Sequence, residues 1–108
     1  MKIVQSHELG QAAAKQRITG LAVQLQEQHR DKIEEVVMDW VNEYKFAATI
    51  SLKGVLGFMV ITGVGEISPL AVTLDISLPL LARAYSGQIE QAIRQSLANC
   101  LSLYSPNI

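Results

Sequence analysis

The sequence predicts an α+β domain in which an antiparallel sheet of three to four strands has two helices packed on one face, in the order β-α-β-β-β-α. Three observations indicate this class. A helical stretch opens the chain, a β-rich middle follows, and an amphipathic helix closes it. The 108 residues suffice for one hydrophobic core and not for two, so residues 1–108 are expected to form a single domain.

The first elements are a short strand and a long helix. The apolar run Lys2 to Val4 is expected to form an edge strand, after which Ser6 or His7 offers a helix N-cap. From Leu9 to about Gln28, apolar residues recur at helical spacing. Gly20 costs this helix roughly 1 kcal/mol relative to alanine, so it is expected to mark a close packing contact.

Residues 31–41 permit two interpretations. Val36, Met38 and Trp40 occupy every second position, as the residues on one face of a strand do. The same stretch also has apolar residues at helical spacing, namely Ile33, Val36, Val37, Trp40 and Val41. The β-branched and aromatic content favours a strand, and a helix remains the alternative.

The middle of the chain predicts further strands. Residues 46–53 alternate between apolar and polar side chains, which is typical of a half-buried strand. A turn at Lys53 and Gly54 leads into residues 55–62, where apolar residues occupy both alternating sets. The segment from Gly63 to Gly65 is interpreted as the next turn, and residues 70–76 as the last strand.

The end of the chain predicts a second helix. Pro79 begins a short helical turn through Tyr85, and Ser86 with Gly87 precedes the final helix. Its apolar stripe consists of Ile89, Ala92, Ile93, Leu97, Cys100, Leu101 and Tyr104. Pro106 is expected to end it.

Composition excludes several classes of protein. Hydrophobic residues make up 49% of the chain and charged residues 18%, which excludes a disordered chain. The net charge of −1 gives no global field that attracts nucleic acid, so nucleic acid is not expected as a partner. No membrane span is predicted, because the longest apolar run, Val55 to Val64, is too short and too rich in glycine.

The polar residues predict no catalytic cluster, no cofactor and no metal site, so the protein is not expected to be an enzyme. His7 beside Glu8 fits a helix start better than acid–base chemistry, and His29 has no second metal ligand nearby in sequence. Cys100, the single cysteine, lies on an apolar stripe and is expected to be a buried, inert thiol. With no disulfide and no signal peptide in Met1 to Gly10, a cytoplasmic location is expected.

The predicted sheet has more apolar surface than two helices on one face can cover. An exposed apolar sheet face favours association, so a homodimer, or contact with another hydrophobic body, is expected. The alternative is a sheet that curls around its own core. The candidate hydrophobic contact residues are Val37, Val41, Leu56, Phe58, Val60, Leu80, Leu81 and Tyr85. For the last three of these, the alternative is that they cover the end of the core.

Short motifs along the chain resemble the polyhydroxyalkanoic acid system proteins. The opening Ser6-His7-Glu8-Leu9-Gly10, with Ala14 and Arg17 on the following helix, is similar to the start of that family. Lys53 to Gly57 is similar to its glycine-containing hairpin. Leu74 to Leu81 and the helix from Gly87 to Leu101 extend the similarity towards the end of the chain.

The resemblance implies a bacterial protein associated with polyhydroxyalkanoate storage, with a role at storage granules and no catalytic residues to carry over. Its partners would be the polyester granule surface or granule proteins. Two alternatives remain open. The element order also resembles ribosome-associated hibernation factors, which require a basic surface for RNA. A carrier with a lipid-like molecule between helices and sheet would suit the aliphatic residues.

Overall fold

The computed structural model describes residues 1–53 and 59–102. One short strand and two short helices come first, four longer strands follow, and a helical segment ends the described chain. The elements are β1 (Lys2–Ser6), α1 (Gln11–Thr19), α2 (Leu21–Gln28), β2 (Ile33–Asn42), β3 (Lys45–Leu52), β4 (Met59–Ile67), β5 (Ala71–Ser77), a 3-10 helix (Leu80–Tyr85) and α3 (Ser86–Leu101).

The strands form one antiparallel sheet of five strands in the order β1-β5-β4-β3-β2. The α+β class and the antiparallel sheet are therefore confirmed. The predicted count of three to four strands is too low, because four strands, β2 to β5, lie between α2 and α3 where the predicted order has three. The expected edge strand at Lys2 to Val4 is present as β1, which pairs along its whole length with β5.

Two ambiguous segments resolve as strands. Residues 33–42 form β2, so the strand interpretation of residues 31–41 is confirmed over most of that range. The turn predicted from Gly63 to Gly65 is wrong, because both glycines lie inside β4 and pair with β3 and β5. The turn predicted at Gly54 and the strand start at Val55 fall outside the described residues.

The first helix is divided at Gly20. This glycine has a φ of −86° and its N–H donates to the carbonyl oxygen of Arg17. Gly20 is therefore the C-cap of α1, which ends at Thr19. The expected close packing contact at Gly20 is wrong, since an added Cβ would meet only that same carbonyl oxygen, at 3.7 Å. The helix N-cap is Gly10, with a φ of +82°, and neither Ser6 nor His7 occupies that position.

The hydrophobic core lies between the helices and one face of the sheet, which we call the inner face. Strand residues on this face alternate with residues on the opposite, outer face. The buried core residues include Ile3, Ala14, Ile18, Leu21, Leu25, Phe46, Ile61, Ile67, Val72, Leu74, Ile76, Ile93, Leu97 and Leu101. The stripe predicted for the last helix therefore faces the core as far as the structure describes it.

Phe46 and Trp40 form an aromatic cluster on the inner face. Phe46 pairs with Gly65 across β3 and β4, and its ring occupies the space that a side chain at residue 65 would need. Trp40 packs edge-on against this ring with 5.4 Å between ring centroids. The ammonium of Lys15 lies 4.6 Å from the Trp40 ring, which places a cation–π contact between α1 and β2.

The opening motif has structural roles. His7 is buried, its Nδ1 accepts the N–H of Leu9 at 3.3 Å, and its Nε2 therefore donates to the carbonyl oxygen of Ser68 at 3.1 Å. Arg17 donates to the carbonyl oxygens of Cys100 and Ser102 at the end of α3. These contacts join the start of the chain to the β4–β5 turn and to the last helix.

Candidate hydrophobic contact surface

The centre of the outer face carries a set of uncharged side chains on three neighbouring strands. Alternation places Glu35, Val37 and Asp39 of β2, the odd-numbered residues of β3 and the even-numbered residues of β4 on this face. We call the central set the outer patch. Its members are Val37, Ala47, Thr49, Ser51, Val60, Thr62 and Val64.

The strand register makes the outer patch continuous. Thr49 lies opposite both Val37 on β2 and Thr62 on β4. Ala47 lies opposite Val64. With strands about 4.8 Å apart and about 3.4 Å per residue, the patch measures roughly 10 by 14 Å. Val37 and Val60 each have a hydroxyl-bearing neighbour on β3, Thr49 and Ser51, and Val64 has the small Ala47.

The outer patch is open to solvent. Val37 is 41% exposed, Val60 47% and Val64 43%, values far above those of the core valine and isoleucines. Among residues 1–53 and 59–102, the helices pack on the inner face and none lies over the patch. These side chains therefore have no intramolecular role in the core, and they are available for contact.

Charged residues flank the outer patch on its β2 side, on part of its β5 side and at one end. Glu35 lies opposite Ser51, Asp39 lies opposite Ala47, and Asp75 lies opposite Val64 on the β5 side. Lys45 and Glu66 face each other at the next position along β3 and β4. An uncharged centre with charged residues at its rim is the arrangement found at protein interfaces.

The predicted contact residues divide into separate groups. Val37 and Val60 belong to the outer patch, and Val41, 63% exposed, lies beyond Asp39 near the end of β2. Leu80, 78% exposed, and Tyr85, 53% exposed, lie instead on the 3-10 helix that leads into α3.

Leu81 belongs to the same 3-10 helix as Leu80 and Tyr85, and that helix packs against α3 and not against the patch strands. Leu56 and Phe58 lie outside the described residues. The structure therefore brings together only part of the predicted set, on β2 and β4.

Sequence reasoning missed Val64 and the small residues between the valines. The cause is the interpretation of Gly63 to Gly65 as a turn, which removed Val64 from any strand. The signal that could have found it is the alternation that runs from Val60 through Thr62 to Val64. Val4 on β1, 52% exposed on the same outer face, was missed because its strand is so short.

Cys100 is a buried thiol with structural contacts. Its Sγ donates to the carbonyl oxygen of Arg17 at 2.8 Å, in the contact between α1 and α3. Burial raises the pKa of the Cys100 thiol to about 11, against a smaller lowering by the positive charge of Arg17. A nucleophilic cysteine needs the opposite setting, so the geometry agrees with an inert thiol.

We expect the Cys100 thiol to react with a disulfide reagent at pH 8 at least 100-fold more slowly in the folded protein than in urea.

The Cys100 thiol also predicts a dependence of stability on pH. Because its pKa is higher in the folded protein, the folded protein keeps the thiol proton over a pH range in which the unfolded chain loses it. Stability should therefore fall as pH rises from about 9 to about 11. Denaturation curves measured across this range, with Cys100→Ala as the control that lacks the effect, test this. An equal slope in both proteins would contradict it.

Three of the nine Lys and Arg side chains have acidic or carbonyl partners. Lys53 pairs with Glu34 at 3.8 Å, and Arg94 pairs with Glu90 at 3.7 Å on α3. Arg17 is committed to carbonyl groups at the end of α3. In the part of the chain that the structure describes, no cluster of three or more potential metal ligands occurs.

None of the helices within the described ranges is both long enough and apolar enough to cross a bilayer. The longest, α3, spans 16 residues, and polar side chains interrupt its apolar stripe.

Comparison with known proteins identifies a family. No curated protein and no solved structure matches the chain. A family model described as "Putative polyhydroxyalkanoic acid system protein" matches residues 1–101, which include every described strand and helix. The match also covers the opening motif and the outer patch. The chain belongs to the polyhydroxyalkanoic acid system protein family.

Proposed function

We propose that this protein is a non-enzymatic component of polyhydroxyalkanoate storage that binds the polyester surface of a granule in the cytoplasm through the outer patch. The single observation that carries the proposal is the patch itself: seven uncharged side chains, four exposed and three half-buried, that are contiguous on three strands and flanked by charged residues. Family membership supplies the polyester as the hydrophobic body.

The chemistry of the outer patch suits a polyester. A polyester surface presents hydrocarbon together with ester carbonyl oxygens, which accept hydrogen bonds and donate none. Val37, Val60 and Val64 supply methyl groups for the hydrocarbon. Thr49 and Thr62 supply hydroxyl donors between them, so ester oxygens need not be desolvated without a partner.

The expected affinity is modest. Complete burial of a valine side chain is worth roughly 1.5–3 kcal/mol, so burying the remaining exposed part of each patch valine contributes about 1 kcal/mol. Together the three valines contribute about 3 kcal/mol, or roughly a 100-fold preference for the surface. We therefore expect reversible adsorption that strengthens where several copies bind side by side.

Adsorption of the full chain to polyhydroxybutyrate particles tests the proposal. Because the contact is apolar, we expect bound protein to change less than about twofold between 0.05 and 1 M salt, whereas an electrostatic contact would weaken steeply. Cellulose particles, which are hydroxyl-rich, serve as the control surface and should bind little. Equal binding to both surfaces, or loss of binding at high salt, would contradict the proposal.

A second copy of this chain is the alternative partner for the outer patch. Light scattering on the same samples shows whether the protein is a dimer. If the protein is a dimer whose assembly depends on the patch and which does not adsorb, the patch is a homodimer contact and the granule proposal is wrong. A chain that adsorbs as expected supports the proposal, whatever its oligomeric state in solution.

A further inference from the structure

An apolar cavity of about 60 Å³ lies on the inner face, beneath α2. Its walls are formed by strands β2 to β5 and by one residue of α3, Ile93. The roof consists of Leu21, Ala22 and Leu25 of α2. The lining is almost entirely hydrocarbon, since only Thr62 and Gly63 among its residues are not apolar and Thr62 projects from the other face.

The cavity arises from a particular pair of small residues. Two glycines of β4 leave gaps in the inner face, and the Phe46 ring fills the gap at Gly65. At Gly63 the residue opposite is Ala48, which is too small to fill the gap. A shallow trough therefore remains between Ile76 on one side and Met38 on the other.

The cavity is only partly enclosed by protein. Its floor residues Ile61 and Leu74 are buried, whereas Ala22, Val36 and Met38 are only half-buried. The apolar interior is therefore in part accessible from solvent.

We propose that this cavity binds the end of a straight alkyl chain, two to three carbons deep, with the polar group of the ligand left outside. An apolar cavity of about 150 Å³ holds the six carbons of benzene, or roughly 25 Å³ per carbon. At that volume per carbon, the cavity of about 60 Å³ holds two to three carbons. The absence of a polar partner in the lining excludes a head group inside. This site is on the opposite face from the outer patch, so it does not rest on the proposed function.

The same chain end could come from a free fatty or hydroxy acid or from an alkyl side chain of a polyester. Sodium hexanoate is the probe for the first source, and a soluble oligoester with propyl side chains is the probe for the second. The readout is the methyl NMR spectrum of the full protein labelled at isoleucine. Ile61 and Ile93 should shift on binding, and Ile67, which lies outside the lining, should not.

Filling the cavity provides the matched test. Ala48→Val adds two carbons, about the capacity of the cavity, and should weaken probe binding at least tenfold. Ala12→Val makes the same change at an exposed position of α1, outside both the cavity and the outer patch, and should leave binding unchanged. Ala22→Val fills the cavity from the roof and repeats the test on a helix.

Three outcomes would overturn the inference. If neither probe shifts Ile61 or Ile93 up to its solubility limit, while Ala48→Val raises the melting temperature, the cavity is an empty packing defect only. If benzene binds better than hexanoate, the straight-chain assignment is wrong. If Ala48→Val and Ala12→Val change binding equally, the site is not this cavity. Because none of these experiments depends on adsorption to particles, failure of this inference leaves the proposed function untouched.

Discussion

Gly65→Ala is expected to lower the free energy of unfolding by about 3 kcal/mol, a cost near the upper end for overpacking in a core. A Cβ at residue 65 would lie 2.1 Å from Cζ of Phe46 and 2.4 Å from Cε1. The ring has little room to move, since Phe46 is 2% exposed and packs against Trp40. Urea denaturation followed by circular dichroism measures the change.

Two variants control for this prediction. At Gly87, in the first turn of α3, an added Cβ meets nothing within 4 Å, so Gly87→Ala should stabilise the domain by about 0.5–1 kcal/mol. Gly65→Ala combined with Phe46→Leu removes the rigid ring, so the pair should be less destabilising than the sum of the two changes. If Gly65→Ala lies within about 0.5 kcal/mol of the unmodified protein, the placement of the Phe46 ring is wrong.

The double variant Val37→Lys with Val64→Lys is expected to weaken adsorption to polyester particles at least 100-fold. It removes two of the three patch valines. It also places two ammonium groups in the contact, where adsorption would have to remove their hydration water. Both side chains are more than 40% exposed, so the free energy of unfolding should change by less than about 1 kcal/mol. Particle depletion assays and urea denaturation of the same preparation measure both quantities.

A variant with the same charge change elsewhere is the matched control. Val23 on α2 is 61% exposed and Leu70, in the turn before β5, is 74% exposed. Val23→Lys with Leu70→Lys therefore adds two positive charges and removes two exposed apolar side chains away from the outer patch. It should adsorb like the unmodified protein. Equal losses in the two double variants would make adsorption a matter of net charge and not of this surface.

Elements with one buried face were the most predictable from sequence. In β3 the alternation from Phe46 to Leu52 matches the observed strand, and in α3 the stripe ending at Leu101 faces the core. Each of these patterns is local, since the same few residues both form the element and show which side is buried. The α+β class depends only on local segments such as β3 and α3. It could therefore be predicted from sequence, although the order of the strands in the sheet could not.

Elements that depend on a distant partner were not predictable. Gly63 and Gly65 look like turn residues, yet they occur in the middle of β4 because Phe46, nearly twenty residues earlier, covers one of them. That covering is a tertiary contact with no signature in the local pattern. The same error hid Val64 from the candidate site, although its neighbour Val60 was included.

The opening motif explains why family resemblance indicates the fold and not the contact surface. His7 bridges two loops, Gly10 adopts a φ of +82° that favours glycine, and Arg17 binds carbonyl groups at the end of α3. These residues hold the first helix against the rest of the domain. The motif therefore identifies the fold of the family, whereas the contact surface lies on strands where the motif has no residues.

The most direct test of polyester binding is to measure which face of the protein loses contact with water when the protein adsorbs to particles. In a Cys100→Ala background, a polarity-sensitive dye is attached at Thr62→Cys, in the outer patch, or at Val23→Cys, on the exposed side of α2. Adsorption to particles should shift the emission of the dye at residue 62 to shorter wavelength and leave that at residue 23 unchanged. A shift at residue 23 alone, or at neither position while the protein is bound, would contradict binding through the outer patch.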